Sequence, residues 1–465
     1  MSLTTTPTSW LESLPAEILQ SICGQFCHHC QGNTLIPHFD LPLTIENDPD
    51  RDTYSANAEA VQNLCALSLV SRRLRKVAQP ILYHEFPSLE LRRGRLEPFL
   101  RTIIARPDLA TAVKTLAYNS NLAFYLDLSL ARSIYLQGLE VLGTDVNQVW
   151  SSRCEDPLQP DLHESLQAFL FGYDANIPSP GAQLYSACAE ILILLLSLLP
   201  NLTTLMVDGV LVGVFLPQSA FRVFGISSIK LRRLYATSLP RAIVDVAHDL
   251  DELTIGPRCQ ARQEPKPRSI SYCLSSHQVP HGFHPRDLEK AFAFYKQPLH
   301  SFRFEMRGIK HDTELPRPSF GFLNHFRTTL QSLHLDFDVH NAFGPIIASF
   351  KRFTNLKDLF IVTNLIYNRV DNGALGLSSL TDYFPDNLEK LTLKQHCSSE
   401  AANLANGLRD LLVAMHIGSF PRLDDVLIRH HGMELGNRIY REKGRLKGEV
   451  ATESGERMTI DVTPN

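Results

Sequence analysis

The chain has 465 residues, 44% of them hydrophobic and 20% charged, and a formal net charge of −4. That apolar content supports a sizeable core and excludes a generally disordered chain, and the near-balanced charge gives no global pull toward nucleic acid or anionic membrane. At about 150 residues per domain, the length fits three domains, or one small domain and a long repeat array.

The opening MSLTTTPTSW has no basic region followed by an apolar stretch, so no secretory signal is expected. Nine cysteines, an odd number, spread along the chain point to a reducing compartment, cytoplasmic and/or nuclear, rather than a disulfide framework. The longest apolar run, Ile191 to Leu199, is far shorter than the ~18 residues of a membrane span and reads as a buried helix segment.

The first helix is predicted in SLPAEILQSICGQF. Pro15 suits a first turn, where its missing N–H would be unpaired anyway, and Glu17 favours the positive helix end. Ile18, Leu19, Ile22 and Phe26 make one apolar stripe. A long Pro-, Asn- and Asp-rich insert follows at about 31–60, and the pattern predicts a loop. A second helix is predicted over AVQNLCALSLVSRRLRKVA, with Val61, Leu64, Leu67, Leu74, Val77 and Ala78 at helical spacing. Pro80 closes it, and ILYHEF reads as a short extended segment.

From about residue 89 a strand pattern L-x-x-L-x-L recurs, usually after a helical stretch. Copies start at Leu202, Leu231, Leu250, Leu299, Leu330, Leu356, Leu388 and Leu423, with a weaker one at Val113. Period-2 alternation sends the leucines of L-x-L to one face of a strand. Leu333, Leu359 and Leu391 are therefore expected to align in one buried row on parallel strands, with His334, Phe360 and Thr392 aligned on the other face. Asn364 falls where a regular leucine-rich repeat places its asparagine ladder. Gly256 to Pro285, with five prolines, is expected to be a loop. The expected organisation is α/β: a helical module over 1–88, an irregular leucine-rich-repeat solenoid with a parallel sheet and outer helices over 89–432, and a polar tail over 433–465.

Two cysteine–histidine groups could be weighed as metal ligands. Cys23, Cys27, Cys30 and His38 space as C-x3-C-x2-C-x7-H, but Cys23 and Cys27 fall on the first helix and read better as small buried residues. Cys259, Cys273, His277, His281 and His284 lack a tight C-x-x-C pair. No metal or cofactor is expected. Phosphate loops, dinucleotide fingerprints and hydrolase elbows are missing from the sequence, so it is read as non-catalytic. Arg438, Arg441, Lys443, Arg445 and Lys447 read as a solvated tail.

LPAEILQSI together with LCALSLVSRRLRKVAQPILYHEF resembles an F-box of the kind common in filamentous fungi, carried by Leu14, Pro15, Glu17, Ile18, Leu19, Ile22, Leu64, Leu67, Val70, Ser71, Arg72, Leu74, Ala78, Pro80, Leu82 and Tyr83. In a typical F-box the two halves sit close together, whereas here the insert separates them. The resemblance implies that Leu14, Pro15, Ile18, Leu19, Leu67, Val70 and Leu74 bind a Skp-family adaptor and through it a cullin. The repeats would then hold a protein substrate for ubiquitination, and Arg233, Tyr235, Arg303, His334, Phe360 and Lys390 are the expected contacts, because they flank the apolar strand positions on the open face. The alternative is a leucine-rich-repeat scaffold acting outside a ubiquitin ligase.

Overall fold

The computed structural model describes residues 10–32, 51–86, 96–118, 126–154, 160–172, 180–207, 218–236, 241–255, 268–275, 298–307, 321–337, 349–363, 380–395, 401–430, 437–442, 445–451 and 457–461, with Leu216, Phe292 and Ile366. The chain divides into two compact units, residues 1–250 and 251–465. The first holds the helical module and the start of the expected array.

The module begins with α1 (Trp10–Ser13) and α2 (Ala16–Gly24). Two longer helices follow, α3 (Arg51–Val70) and α4 (Arg72–Leu82). The single helix expected across residues 60–78 is in fact two. Ser71 breaks it with an extended backbone and caps α4, its Oγ accepting the Leu74 N–H at 3.2 Å. The insert expected to be a loop as far as residue 60 is already helical from Arg51; its residues 33–50, with His38, lie outside the described residues. Cys23, Cys27, Leu64, Ala78 and Ile81 form the module's core, with Phe26, Leu67, Val77 and Leu82 packed against it.

Among the described residues, four parallel strands follow in the first unit: β1 (Glu85–Phe86), β2 (Thr115–Tyr118), β3 (Thr204–Val207) and β4 (Arg233–Ala236). Phe86, Leu116, Leu205 and Leu234 align across them and are buried. The apolar run predicted as a buried helix segment lies in α10 (Pro180–Leu198), where Ser186 to Leu196 are buried. The Tyr118 hydroxyl donates to the Cys188 carbonyl at 2.7 Å and ties that helix to β2. The helices α5 (Leu96–Ala105), α6 (Pro107–Ala112), α7 (Leu128–Leu142), α8 (Val146–Cys154) and α9 (Pro160–Phe171) precede it. Gly138 of α7 sits where a Cβ would come within 2.7 Å of the Leu194 side chain, so the two helices meet across a glycine.

Glu190 is a charge inside that apolar helix, and it is not alone. Arg153 of α8 donates to it twice, Nε to Oε1 at 2.7 Å and an Nη to Oε2 at 3.0 Å. The Tyr135 hydroxyl of α7 adds a third donor at 2.9 Å. Arg153 and Glu190 are 1% and 3% exposed, so the fork-on-carboxylate geometry compensates two desolvated ions.

Among its described residues the second unit carries seven parallel strands, β5 (Glu252–Ile255), β6 (Ser269–Ser275), β7 (Ser301–Arg307), β8 (Ser332–Phe337), β9 (Asp358–Val362), β10 (Lys390–Gln395) and β11 (Asp425–His430). Leu253, Ile270, Phe302, Leu333, Leu359, Leu391 and Val426 form one aligned row, each at most 1% exposed. His334, Phe360 and Thr392 form the expected row on the other face. β6 corrects the reading of Gly256 to Pro285 as loop throughout: Ser269–Ser275 is a strand whose Ile270 stands where other copies carry leucine, so a leucine template passes over it. The expected polar tail is likewise structured, as the antiparallel strands β12 (Asn437–Glu442), β13 (Arg445–Ala451) and β14 (Arg457–Asp461) added to β11.

A ladder of asparagine amides links successive strands, apart from the Asn364 position, where most other copies of the pattern lack an asparagine. Asn364 lies outside the described residues. Instead the residue before the first leucine carries it: Asn201 Nδ2 donates to the Thr111 carbonyl at 3.0 Å and Asn387 Nδ2 to that of Thr354 at 2.6 Å. Asn355 Nδ2 does the same to Thr328. Each amide satisfies a carbonyl in the segment that leads into the preceding strand, a helix-end carbonyl for Thr111 and a turn carbonyl for Thr328 and Thr354, groups that would otherwise need water.

Candidate functional sites

The module's side chains fall into two groups. Leu19 and Leu74 are 1% exposed, so they are core residues and not surface anchors. Leu67 is half-buried against the core, and Leu14 is half-buried with its carbonyl accepting a bond from the Arg73 guanidinium. Pro15 is exposed, as are Ile18 at 47% and Val70 at 64%. Ile22 and Leu69, at 37% and 75%, are exposed too and were not singled out from sequence as surface residues. Four large aliphatic side chains are thus left in water on a small module, an exposure matched elsewhere in the chain by Val141 and Ile417.

In the second unit the face opposite the leucines is polar and internally paired. Glu305 of β7, almost fully buried, accepts from the Arg303 guanidinium, Nε at 2.8 Å, and lies 3.1 Å from His334 Nε2. The His334 ring stacks on Phe360 with centroids 3.8 Å apart and 11° between planes, and the Arg429 guanidinium sits 5.9 Å over the same phenyl ring. Lys394 Nζ bridges from β10 to both Asp336 oxygens, at 2.8 and 2.9 Å. Lys390 is exposed, aligned between Asp358 and Asp425. Burial raises the Asp358 carboxyl above its ordinary value, with Lys390 and His334 opposing the rise. Four of the sequence-derived positions, Arg303, His334, Phe360 and Lys390, thus share one face. Phe360 is only 8% exposed, so it is a platform beneath His334 and Arg429 more than a free anchor.

The same face of the first unit is different. Arg233 is half-buried, but Tyr235 is 3% exposed and packs with Ala117 and Met206. Tyr235 is therefore an interior residue of that unit, because its register neighbours are small or apolar and it completes their cluster.

Among the described residues, two groups of side chains bring ligand atoms within 4.8 Å of one another. In the first, Glu305, His334 and Asp336, the carboxylates already face Arg303 and Lys394, so internal cations do the neutralising. The second is Cys27, His29, Cys30 and His84. Burial pushes the Cys27 thiol up to about 12, the Glu85 carboxyl up to about 7 and the His84 imidazole down to about 4. Cys23 and Cys27 are both buried in the module's core, as expected from sequence, and of the two only Cys27 belongs to this group. Cys27 and Cys30, with His29 between them, are visible in the sequence by their C-x2-C spacing, whereas His84 comes from beyond two helices.

Comparison of the chain with protein-family models, curated proteins and solved structures finds no match.

Proposed function

We propose that this chain is the non-catalytic substrate-recognition subunit of a cullin-based ubiquitin ligase. Its helical module binds a Skp-family adaptor, and the polar strand face of the second unit holds a protein substrate in an irregular leucine-rich-repeat array. One observation carries the reading: Ile18, Ile22, Leu69 and Val70 stay exposed on a module whose core is otherwise closed. A partner helix that covered them would remove apolar surface from water at about 25 cal/mol per Å². The strand face supports the second half of the proposal, since Arg303, His334, Lys390 and Arg429 offer directional contacts on a rigid sheet. Such a receptor works by raising the effective concentration of substrate lysines near the loaded conjugating enzyme. The segment of residues 25–50 between α2 and α3 favours the second reading, a repeat scaffold outside a ligase, because it separates the two halves of the module.

The test is affinity capture of the full chain from cell lysate, read by mass spectrometry. Adaptor and cullin peptides are expected with the wild type and lost with Ile18→Asp/Val70→Asp at unchanged thermal melting. Capture without adaptor, or with equal adaptor on the double variant, overturns the proposal.

A further inference from the structure

We infer that Cys27, His29, Cys30 and His84 form a binding site for one zinc-class divalent cation, which clamps the turn after α2 to the start of β1. The cluster gathers from two distant places in the chain. Cys27, His29 and Cys30 lie in the turns that follow α2, and His84 is the residue before β1. Cys27 Sγ and Cys30 Sγ lie 3.8 and 3.2 Å from His84 Nδ1, and His29 completes a group whose ligand atoms all fall within 4.8 Å of one another. Zinc–sulfur bonds of about 2.3 Å and zinc–nitrogen bonds of about 2.0 Å in a tetrahedron require sulfur–nitrogen edges of roughly 3.5 Å. The observed edges bracket that length.

The surroundings fit the same occupant. His29 Nδ1 is buried without a hydrogen-bond partner, an orphaned atom that coordination through that nitrogen would satisfy. The Glu85 carboxylate accepts the His29 backbone N–H and so holds the ligand-bearing turn against the strand. Two sulfurs and two imidazoles are the donor set of tetrahedral zinc, softer than calcium or magnesium would take. Four protein ligands leave no open position, so the cation is structural and not catalytic. Binding exchanges the two thiol protons for the metal, giving two thiolates, two neutral imidazoles and a neutral site. The competing use of the same sulfurs is a Cys27–Cys30 disulfide, which would leave both imidazoles without a cation.

The full chain, purified in reducing buffer without added metal or chelator, is analysed for metal content. About one zinc per chain is expected. Cys30→Ser and His84→Asn lose it, while Cys65→Ser, an exposed cysteine outside the cluster, keeps it. Cys30 is itself exposed, so its replacement leaves the core intact. Cobalt added alone to the metal-free wild type should give strong visible d–d bands and a thiolate charge-transfer band. Sub-stoichiometric metal with no cobalt bands overturns the inference. So does equal metal in Cys30→Ser, or a Cys27–Cys30 disulfide in protein kept under reducing conditions.

Discussion

At matching register positions on the face away from the leucines, the first unit places Ala117, Met206 and Tyr235, whereas the second places Arg303, His334 and Phe360. The leucine faces of both units follow one rule, a buried row repeated strand after strand. The opposite faces do not. Closed mainly by small and apolar side chains in one unit, with Thr204 and the half-buried Arg233 beside them, the face becomes core; lined by a buried glutamate and the cations of Arg303, Lys390, Lys394 and Arg429 in the other, it stays a polar surface. The ion pairs diverge in the same way: Arg153 and Glu190 are 1% and 3% exposed in the first unit, against 24% and 15% for Lys394 and Asp336 in the second. One strand grammar therefore supports two uses, and which use applies is set by the residues between the leucines.

The largest effect should come from the buried pair. Glu190→Ala removes the carboxylate that compensates the buried Arg153 guanidinium, and should cost about 3–5 kcal/mol. Chemical denaturation of the two variants Glu190→Ala and Arg153→Met checks this; a loss below about 1 kcal/mol in both would mean the network carries little of the fold.

Next comes the pair of aromatics on corresponding faces. Tyr235→Ala should cost about 3–4 kcal/mol, as a fully interior aromatic does. Phe360→Ala, whose ring has His334 on one side and Arg429 nearby, should cost about 2 kcal/mol and weaken binding on that face. Equal stability losses, with no change in captured partners, would erase the distinction between the two faces.

The smallest expected effect is at Lys394. Its bridge to Asp336 is partly exposed, so Lys394→Ala should change stability by about 1 kcal/mol or less, and less still in high salt. A loss as large as that of Glu190→Ala would show that the second face is a core in its own right.

How much of this could be read from sequence differs by residue. The leucine rows were legible, because period-2 alternation is a local property of the pleat. The Asn ladder was half legible. The recurring N-L-x-x-L of Asn201, Asn355 and Asn387 stands in the sequence, but only Asn364, at the position of a regular repeat that most other copies lack, was noted. Tyr235 was misplaced because burial of a strand's second face depends on what packs there, which no alternation encodes. Glu190 offered a usable signal, a lone charge inside ILILLL-type context that demands a partner, but nothing local names Arg153. His84 joins Cys27 and Cys30 only through the packing of α2 against α4, so spacing alone could not find the fourth corner.

The most direct test of the proposed receptor is calorimetric titration of the full chain with a purified Skp-family adaptor. Saturable one-to-one binding with a negative heat-capacity change from apolar burial is expected, abolished by Ile18→Asp/Val70→Asp and unaffected by Lys394→Ala. No binding by the wild type, or binding undiminished by the double variant, would contradict it.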